Sequence, residues 1–181
     1  MTTRPRLESE RLLLRPFDLD DAANVRELAG HRDVASTTLF VPHPYEDGMA
    51  EQWISTHQPR FELGELSNFA ITLKSEQALI GVIDLTIESE HQRAELGYWI
   101  GRQYWGQGYC TEAAQLVLQH GFDDLGLNRI AAHHMSRNPA SGRVLKKIGM
   151  QHEGHLKQHV KKWKIFENVE CYAILNNEFQ R

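Results

Sequence analysis

Cysteine is nearly missing from this chain: its 181 residues include two, Cys110 and Cys171, without paired spacing. That excludes a disulfide framework as the source of stability. Long apolar runs are missing as well. No uninterrupted stretch approaches the ~18 residues of a membrane span. The opening MTTRPRLESERLLLRPF is charged throughout and lacks the apolar centre of a signal peptide. Nor does one charge dominate, since 20 Lys and Arg stand against 24 Asp and Glu, a formal net charge of −4. Such a balance gives no support to broad attraction for nucleic acid or an anionic membrane. The expectation is a cytoplasmic protein with neither of those partners. Repeats, low-complexity tracts and linkers are absent too, so residues 1–181 are expected to form one domain with a real core.

What is there is a series of short periodic segments. RLLLRPF (11–17) reads as a strand stopped by Pro16, and DLDDAANVRELAG (18–30) as a helix with Asp18 at its N-cap and Gly30 as its stop. The irregular stretch from Arg32 to Pro44 is expected to be loop. A helix from about Asp47 to His57 follows, with Met49, Trp53 and Ile54 at helical spacing. Irregular segments of this kind often shape a substrate mouth. NFAITLK alternates, and ALIGVIDLTI is a near-continuous apolar run, as a buried central strand should be. ESEHQR joins that run to AELGYWIG in an expected antiparallel hairpin. Next come a glycine-punctuated turn and a helix from Thr111 to about Leu125, striped by Ala114, Leu118, Phe122 and Leu125. NRIAAHHMS reads as a strand, NPASGRVLKKIG as a helix closed by Gly149, and EGHLKQHVKKW and ENVECYAIL as two closing strands. The fold class is α+β: a mixed, largely antiparallel sheet with helices on both faces.

The turn from Gly101 to Tyr109 carries the first functional signal. Gly106 and Gly108 let backbone N–H groups approach a ligand that a Cβ would hold off. The helix behind them offers its unpaired first N–H groups and positive dipole end, which together make a phosphate-sized anion site. A P-loop is excluded, because GQGYCTEA lacks the Lys that such a turn needs. A dinucleotide G-x-G-x-x-G fails at its third glycine, where Thr111 stands, and no acidic ribose partner follows.

AELGYWIGRQYWGQGYCTEAA, followed by NRIAAHHMSRNPASGRVLKKIGM, resembles the GNAT superfamily of acetyl-CoA-dependent N-acetyltransferases. With the opening SERLLLRPFDLDDA, it is similar to the RimJ/RimL branch, which acetylates N-termini of ribosomal proteins; the likeness runs from about Ser9 to Leu175. It implies a sheet splayed between the fourth and fifth of these strands, AELGYWIG and NRIAAHHMS. It also implies acetyl-CoA as cosubstrate, its pyrophosphate wrapped by the turn in a pattern Q/R-x-x-G-x-G/A. Gln103-x-x-Gly106-x-Gly108 matches literally. Trp105-x-x-Gly108-x-Cys110 sits closer to the helix start and is preferred, because the phosphates should meet the first helical turn. Either frame puts the amides of Gly106, Gln107, Gly108, Tyr109, Cys110 and Thr111 on the cofactor. Cys110, where the family prefers Gly or Ala, reads as a tolerated small residue and not as a catalytic thiol.

Attack of a neutral amine on a thioester needs a donor for the oxyanion, a proton acceptor for the ammonium and an acid for the departing thiolate. The resemblance implies that the donor is backbone N–H at the end of the fourth strand, at Tyr98, Trp99 and Ile100. Glu95, on the strand face shared by Gly97 and Trp99, is the candidate base, with a raised pKa expected for an acid in an apolar strand. A solvated role at the strand start is the alternative. His133 and His134, facing opposite ways, are rivals that also suit packing roles. NPAS matches the family's N-x-x-S, which implies that Asn138 contacts the pantetheine arm and Ser141 lies near the sulfur. Asn138 before a proline also suits a plain N-cap. Leu145 stands where many relatives carry an acidic Tyr, and Asn168 where relatives of the branch often carry Asp.

No metal is expected, since His155 and His159 share a face only on a helix and their stretch reads as a strand. HVKKWK (159–164) reads as a solvated hairpin and not an RNA contact. The implied reaction is transfer of acetyl to a primary amine, first of all a protein N-terminus. The alternatives are a small-molecule amine (polyamine, amino acid or antibiotic) and a catalytically weak acyl-CoA-binding module. Either a monomer or a homodimer is compatible with the sequence.

Overall fold

The computed structural model describes residues 3–180. A short hairpin comes first, β1 (Leu7–Glu8) and β2 (Leu12–Arg15). Asp18 then caps a 3-10 turn at Leu19–Asp21, its side chain accepting from the Asp20 N–H, and α1 (Ala22–Gly30) continues from it. Three short helices follow: α2 (Arg32–Thr37), α3 (Met49–Ser55) and α4 (His57–Glu62). A meander comes next, β3 (Leu66–Leu73), β4 (Leu79–Glu88) and β5 (Arg93–Ile100), and leads into α5 (Tyr109–Gln119). The chain closes with β6 (Arg129–Met135), α6 (Pro139–Lys147), β7 (Gln151–Lys162) and β8 (Ile165–Leu175).

The strands form one sheet in the order β1-β2-β3-β4-β5-β6-β8-β7, antiparallel throughout except between β5 and β6. This is the mixed, largely antiparallel sheet expected from the sequence. Every residue of β3 is buried, because helices cover both faces. Phe69 and Ile71 pack with Ile83, Leu85, Val117, Leu118 and Leu145 beneath α5 and α6. Ala70 and Val82 face the other way, toward Phe17, Val25, Leu28 and Ile54 of the α1–α3 layer. Each buried Leu or Ile in these layers contributes roughly 1.5–3 kcal/mol.

The parallel pair sets the functional geometry. Arg93, Ala94 and Glu95 pair with Arg129, Ile130 and Ala131, and no further. Beyond Glu95 the two strands diverge, which opens the sheet where the resemblance implies a splay. Alternate backbone groups of β5 past that point have no strand partner on the β6 side.

Some boundaries differ from those expected. The stretch from Arg32 holds a helix, α2, because the His31 ring accepts a hydrogen bond from the Asp33 N–H and Val34 and Ala35 are buried. The helix expected to end near His57 breaks after Ser55, and α4 carries the chain on to Glu62. Pro59 fits there because it lies in the first turn, where an N–H has no intrahelical partner. Tyr109, not Thr111, begins α5, and its last turn widens into a π turn at His120–Asp124.

Candidate active site

The gap between β5 and β6 opens into a cleft of about 1340 Å³. One half is built from the end of β5, the glycine turn, the start of α5 and one side of α6. Gly106 and Gly108 hold φ of 77° and 83°, the left-handed region that costs other residues roughly 1–2 kcal/mol. Gly108 is the N-cap of α5 and brings no capping side chain, so the first amides of the helix stay open toward the cleft. Gly108, which both frames contain, is thus the residue at the entrance to the helix.

This turn is braced from outside. Arg11, entering β2, donates from Nη1 to the Gln107 carbonyl at 3.1 Å and from Nε to Glu112 Oε2 at 2.7 Å. Its guanidinium lies 4.6 Å from the centre of the Tyr109 ring. The Ser9 hydroxyl donates to the other Glu112 oxygen at 2.6 Å. On the opposite flank the Trp105 indole donates to the Ile100 carbonyl at 2.6 Å, tying the turn to the end of β5. Arg143 and Lys147 of α6 add two cations to the lining of the same cleft. Open amides, a helix N-terminus and two basic side chains suit a ligand carrying several phosphates.

At the inner end of this half, Tyr98 points across the gap to α6. Its Oη lies 2.7 Å from Ser141 Oγ and donates to the Ser141 carbonyl at 3.2 Å. Burial raises the Tyr98 phenol and pushes the Cys110 thiol up to about 12, so both groups keep their protons. Asn138 caps α6, with its Oδ1 accepting from the Ser141 N–H at 3.4 Å, and it also lines the cleft. Trp99 and Ile100 belong to the lining too. Leu145 is wholly buried in the core and offers nothing to the cleft.

The other half is floored by β3, β4 and β5 and walled by α3, α4 and the segment 37–42. Tyr45, Trp53 and Trp99 give it aromatic sides, with Arg60 and His57 at the α4 wall. His57 is buried, and its Nδ1 lies 2.8 Å from Asn68 Nδ2. Burial, reinforced by Arg4 and Arg60, depresses its pKa to about 3 and keeps the ring neutral.

Glu95 corrects an expectation. Its Oε1 lies 3.0 Å from His133 Nδ1, and that hydrogen bond holds the carboxyl below its ordinary value against the opposing effect of burial. The same bond raises His133. Both side chains are exposed, and the pair forms a hydrogen-bonded clasp at the point where β5 and β6 part. His134 faces away: its Nδ1 bonds the Met135 carbonyl at 2.9 Å and its ring stacks on Tyr172. Gly142 has room for no side chain, because a Cβ there would lie 2.7 Å from His134 Nε2.

The carboxyl with the raised pKa is Asp84, which sequence reasoning passed over. It lines the cleft floor from the middle of β4, and burial lifts it to about 7. The signal was present: one acid inside the apolar run ALIGVIDLTI. HVKKWK needs correction too. It does form the end of the β7–β8 hairpin, but Lys162 is 5% exposed and points inward. Its Nζ donates to the carbonyls of Leu39 at 3.2 Å and Val41 at 2.7 Å, fixing the segment that walls the second half of the cleft. Asn168 serves the sheet: its Oδ1 accepts from the Gln158 N–H at 2.8 Å inside the β7 irregularity. His152 and His155 both engage Glu170, at 2.8 and 2.7 Å. Among the described residues, no group of three or more His, Cys, Asp or Glu is arranged to hold a metal ion.

The family model described as "Acetyltransferase (GNAT) domain" matches residues 11–151. An uncharacterized N-acetyltransferase of Bacillus licheniformis, p20, is 30% identical over 174 residues, covering 96% of this chain and 97% of the relative. Among solved structures, the ribosomal-protein α-N-acetyltransferase RimL in complex with coenzyme A superposes with a TM-score of 0.87 at 19% identity, over 94% of this chain and 98% of that one. A spermidine N-acetyltransferase from Vibrio cholerae, with CoA and spermine bound, gives a TM-score of 0.81 at 22% identity over 94% and 98%. At these identities the two structures speak to fold alone.

Proposed function

The chain belongs to the GNAT acetyltransferase family and is an acetyl-CoA-dependent N-acetyltransferase, and from that premise we propose that it acetylates the α-amine of a polypeptide. The observation that carries the acceptor is the charge content of the second half of the cleft. Among the described lining residues only Asp84 and Glu95 are acidic, and Glu95 is held by His133. The remaining walls are largely aromatic and aliphatic. Such a lining suits one ammonium on an otherwise uncharged segment, whereas a polyamine brings several cations that would each need a partner.

CoA lies along the first half in this reading. Its pyrophosphate meets the amides of Gly106, Gln107, Gly108, Tyr109, Cys110 and Thr111, with Arg143 and Lys147 nearby. Asn138 faces the pantetheine arm. The thioester reaches the gap beside Tyr98, Trp99 and Ile100, where backbone N–H turned away from β4 and toward the missing β6 pairing offers a hydrogen bond to the oxyanion. Removing such a donor typically costs ~10²–10³ in rate. As the C–S bond breaks, the Ser141 hydroxyl gives its proton to the thiolate and is refilled from the reacting nitrogen. Tyr98, hydrogen-bonded to Ser141, holds that hydroxyl in place.

The test is thiol release from acetyl-CoA with three probes: a serine-initiated tetrapeptide with a free N-terminus, spermine, and an aminoglycoside. Release with the peptide alone is the expected result. Release with spermine or the aminoglycoside, and none with the peptide, would overturn the polypeptide reading.

A further inference from the structure

Asn68, Asp84 and Gly97 stand side by side across β3, β4 and β5, at paired positions of the sheet. Gly97 has no side chain, and a Cβ there would lie 3.2 Å from each Asp84 carboxylate oxygen. Its absence gives the carboxylate room two residues past the last β5–β6 pair. No described residue donates a hydrogen bond to that carboxylate. Asn68 is 4% exposed, and its Oδ1 is buried without a partner, while its Nδ2 is occupied by His57. Buried polar atoms are rarely left unpaired in a native protein, and such exceptions call for an explanation.

Here the explanation is a ligand with several donors and no acceptor. An ammonium has three N–H donors and a positive charge, and it enters past Tyr45, Trp53 and Trp99, aromatic residues that favour a cation. We infer that Asp84 and Asn68 receive the ammonium of the acceptor and that Asp84 takes its proton, as the general base of the transfer. This rests on the acetyl-transfer reading above and adds to it the group that readies the amine.

The charged surroundings agree. Burial raises the Asp84 carboxyl to about 7; Arg60 on α4 opposes that rise and Glu95 on β5 adds to it. His57 on α4 stays neutral behind Asn68. An α-amine titrates near 7.7–8.0 and an alkylamine near 10.4. A carboxylate tuned near 7 is therefore matched to an α-amine. One proton passes from R–NH₃⁺ to the Asp84 carboxylate, and the neutral nitrogen attacks the carbonyl carbon. The C–N bond forms and the C–S bond breaks, the second nitrogen proton goes by way of Ser141 to the sulfur, and Asp84 returns its proton to solvent.

The experiment compares wild type, Asp84→Asn and Asp84→Glu in thiol release from acetyl-CoA. A serine-initiated tetrapeptide, phenethylamine and spermine serve as probes across pH 5.5–9. In the wild type, kcat/KM should climb to a break near pH 7. Asp84→Asn should lose ~10²–10⁴ in kcat and lose the break, with CoA affinity by calorimetry unchanged; Asp84→Glu should regain part of the rate. Carboxyl ¹³C spectra of Asp-labelled protein should hold one resonance titrating near pH 7 that is missing from Asp84→Asn. A variant that keeps the wild-type rate and break overturns the base assignment. So does one that loses CoA affinity, since Asp84 would then be acting on the opening of the sheet. A wild type silent with all three amines overturns the acetyl-transfer reading itself, a result distinct from an active wild type indifferent to Asp84.

Discussion

Tyr98 Oη sits 2.7 Å from Ser141 Oγ, bridging β5 and α6 over the gap in the sheet. The hydrogen bond joins the two sides of the cleft next to the place assigned to the sulfur. Ser141→Ala should lower kcat about 10²-fold and leave the CoA dissociation constant unchanged. Tyr98→Phe should have a smaller effect in the same direction, because Ser141 keeps its hydroxyl but loses its orientation. Steady-state rates with saturating acetyl-CoA check both.

Gly108→Glu should abolish CoA binding by calorimetry. The new side chain would add bulk and negative charge where phosphates are expected, at a φ of 83° that favours glycine. The fold should survive with about 1–2 kcal/mol of strain, seen as a small drop in Tm.

Asp84 ties stability to pH. Its carboxyl moves from an ordinary 3.8 to about 7 on folding. A carboxyl raised in the folded state favours folding fully only below its unfolded value, and the advantage is lost as pH rises from about 4 to about 7. Asp84→Asn should therefore be more stable than wild type at pH 8, by up to roughly 4 kcal/mol at 1.36 kcal/mol per pH unit, and little different at pH 4. Urea titrations at both values check the sign.

Glu95→Gln separates the clasp from the chemistry. It should cost no more than about tenfold in kcat, where loss of a general base costs ~10²–10⁴. The His133 ring, raised by its hydrogen bond to Glu95, should titrate lower in the variant. Imidazole NMR signals followed across pH would show the change, and a 10³-fold loss of rate would return the base to Glu95.

Much of this was legible in the sequence, and the gaps have physical reasons. Gly106 and Gly108 advertised the turn because positive φ is a local requirement, and the apolar periods of β3, β4 and α5 gave the α+β sheet with helices on both faces. The insertion of β8 between β6 and β7 was not legible, since period-two alternation carries no strand order. The raised pKa expected for Glu95 was wrong because its partner, His133, lies 38 residues away on another strand. Lys162 looked solvated in a run of basic residues, and only the folded carbonyls of Leu39 and Val41 turn it inward. Asp84 could have been found, because an acid in the centre of a two-sided apolar strand is costly to bury unless the site uses it.

The brace between Arg11 and Glu112 spans 101 residues of sequence. The chain therefore cannot shape its glycine turn from local preferences alone; the turn is finished only when the first hairpin docks against α5. Bound CoA should in return hold that hairpin down, by the same coupling read in the opposite direction. Amide exchange in β1 and β2 would thus report on occupancy of a site about 100 residues away in the sequence, and loosening the hairpin would weaken cofactor binding before it unfolded the core.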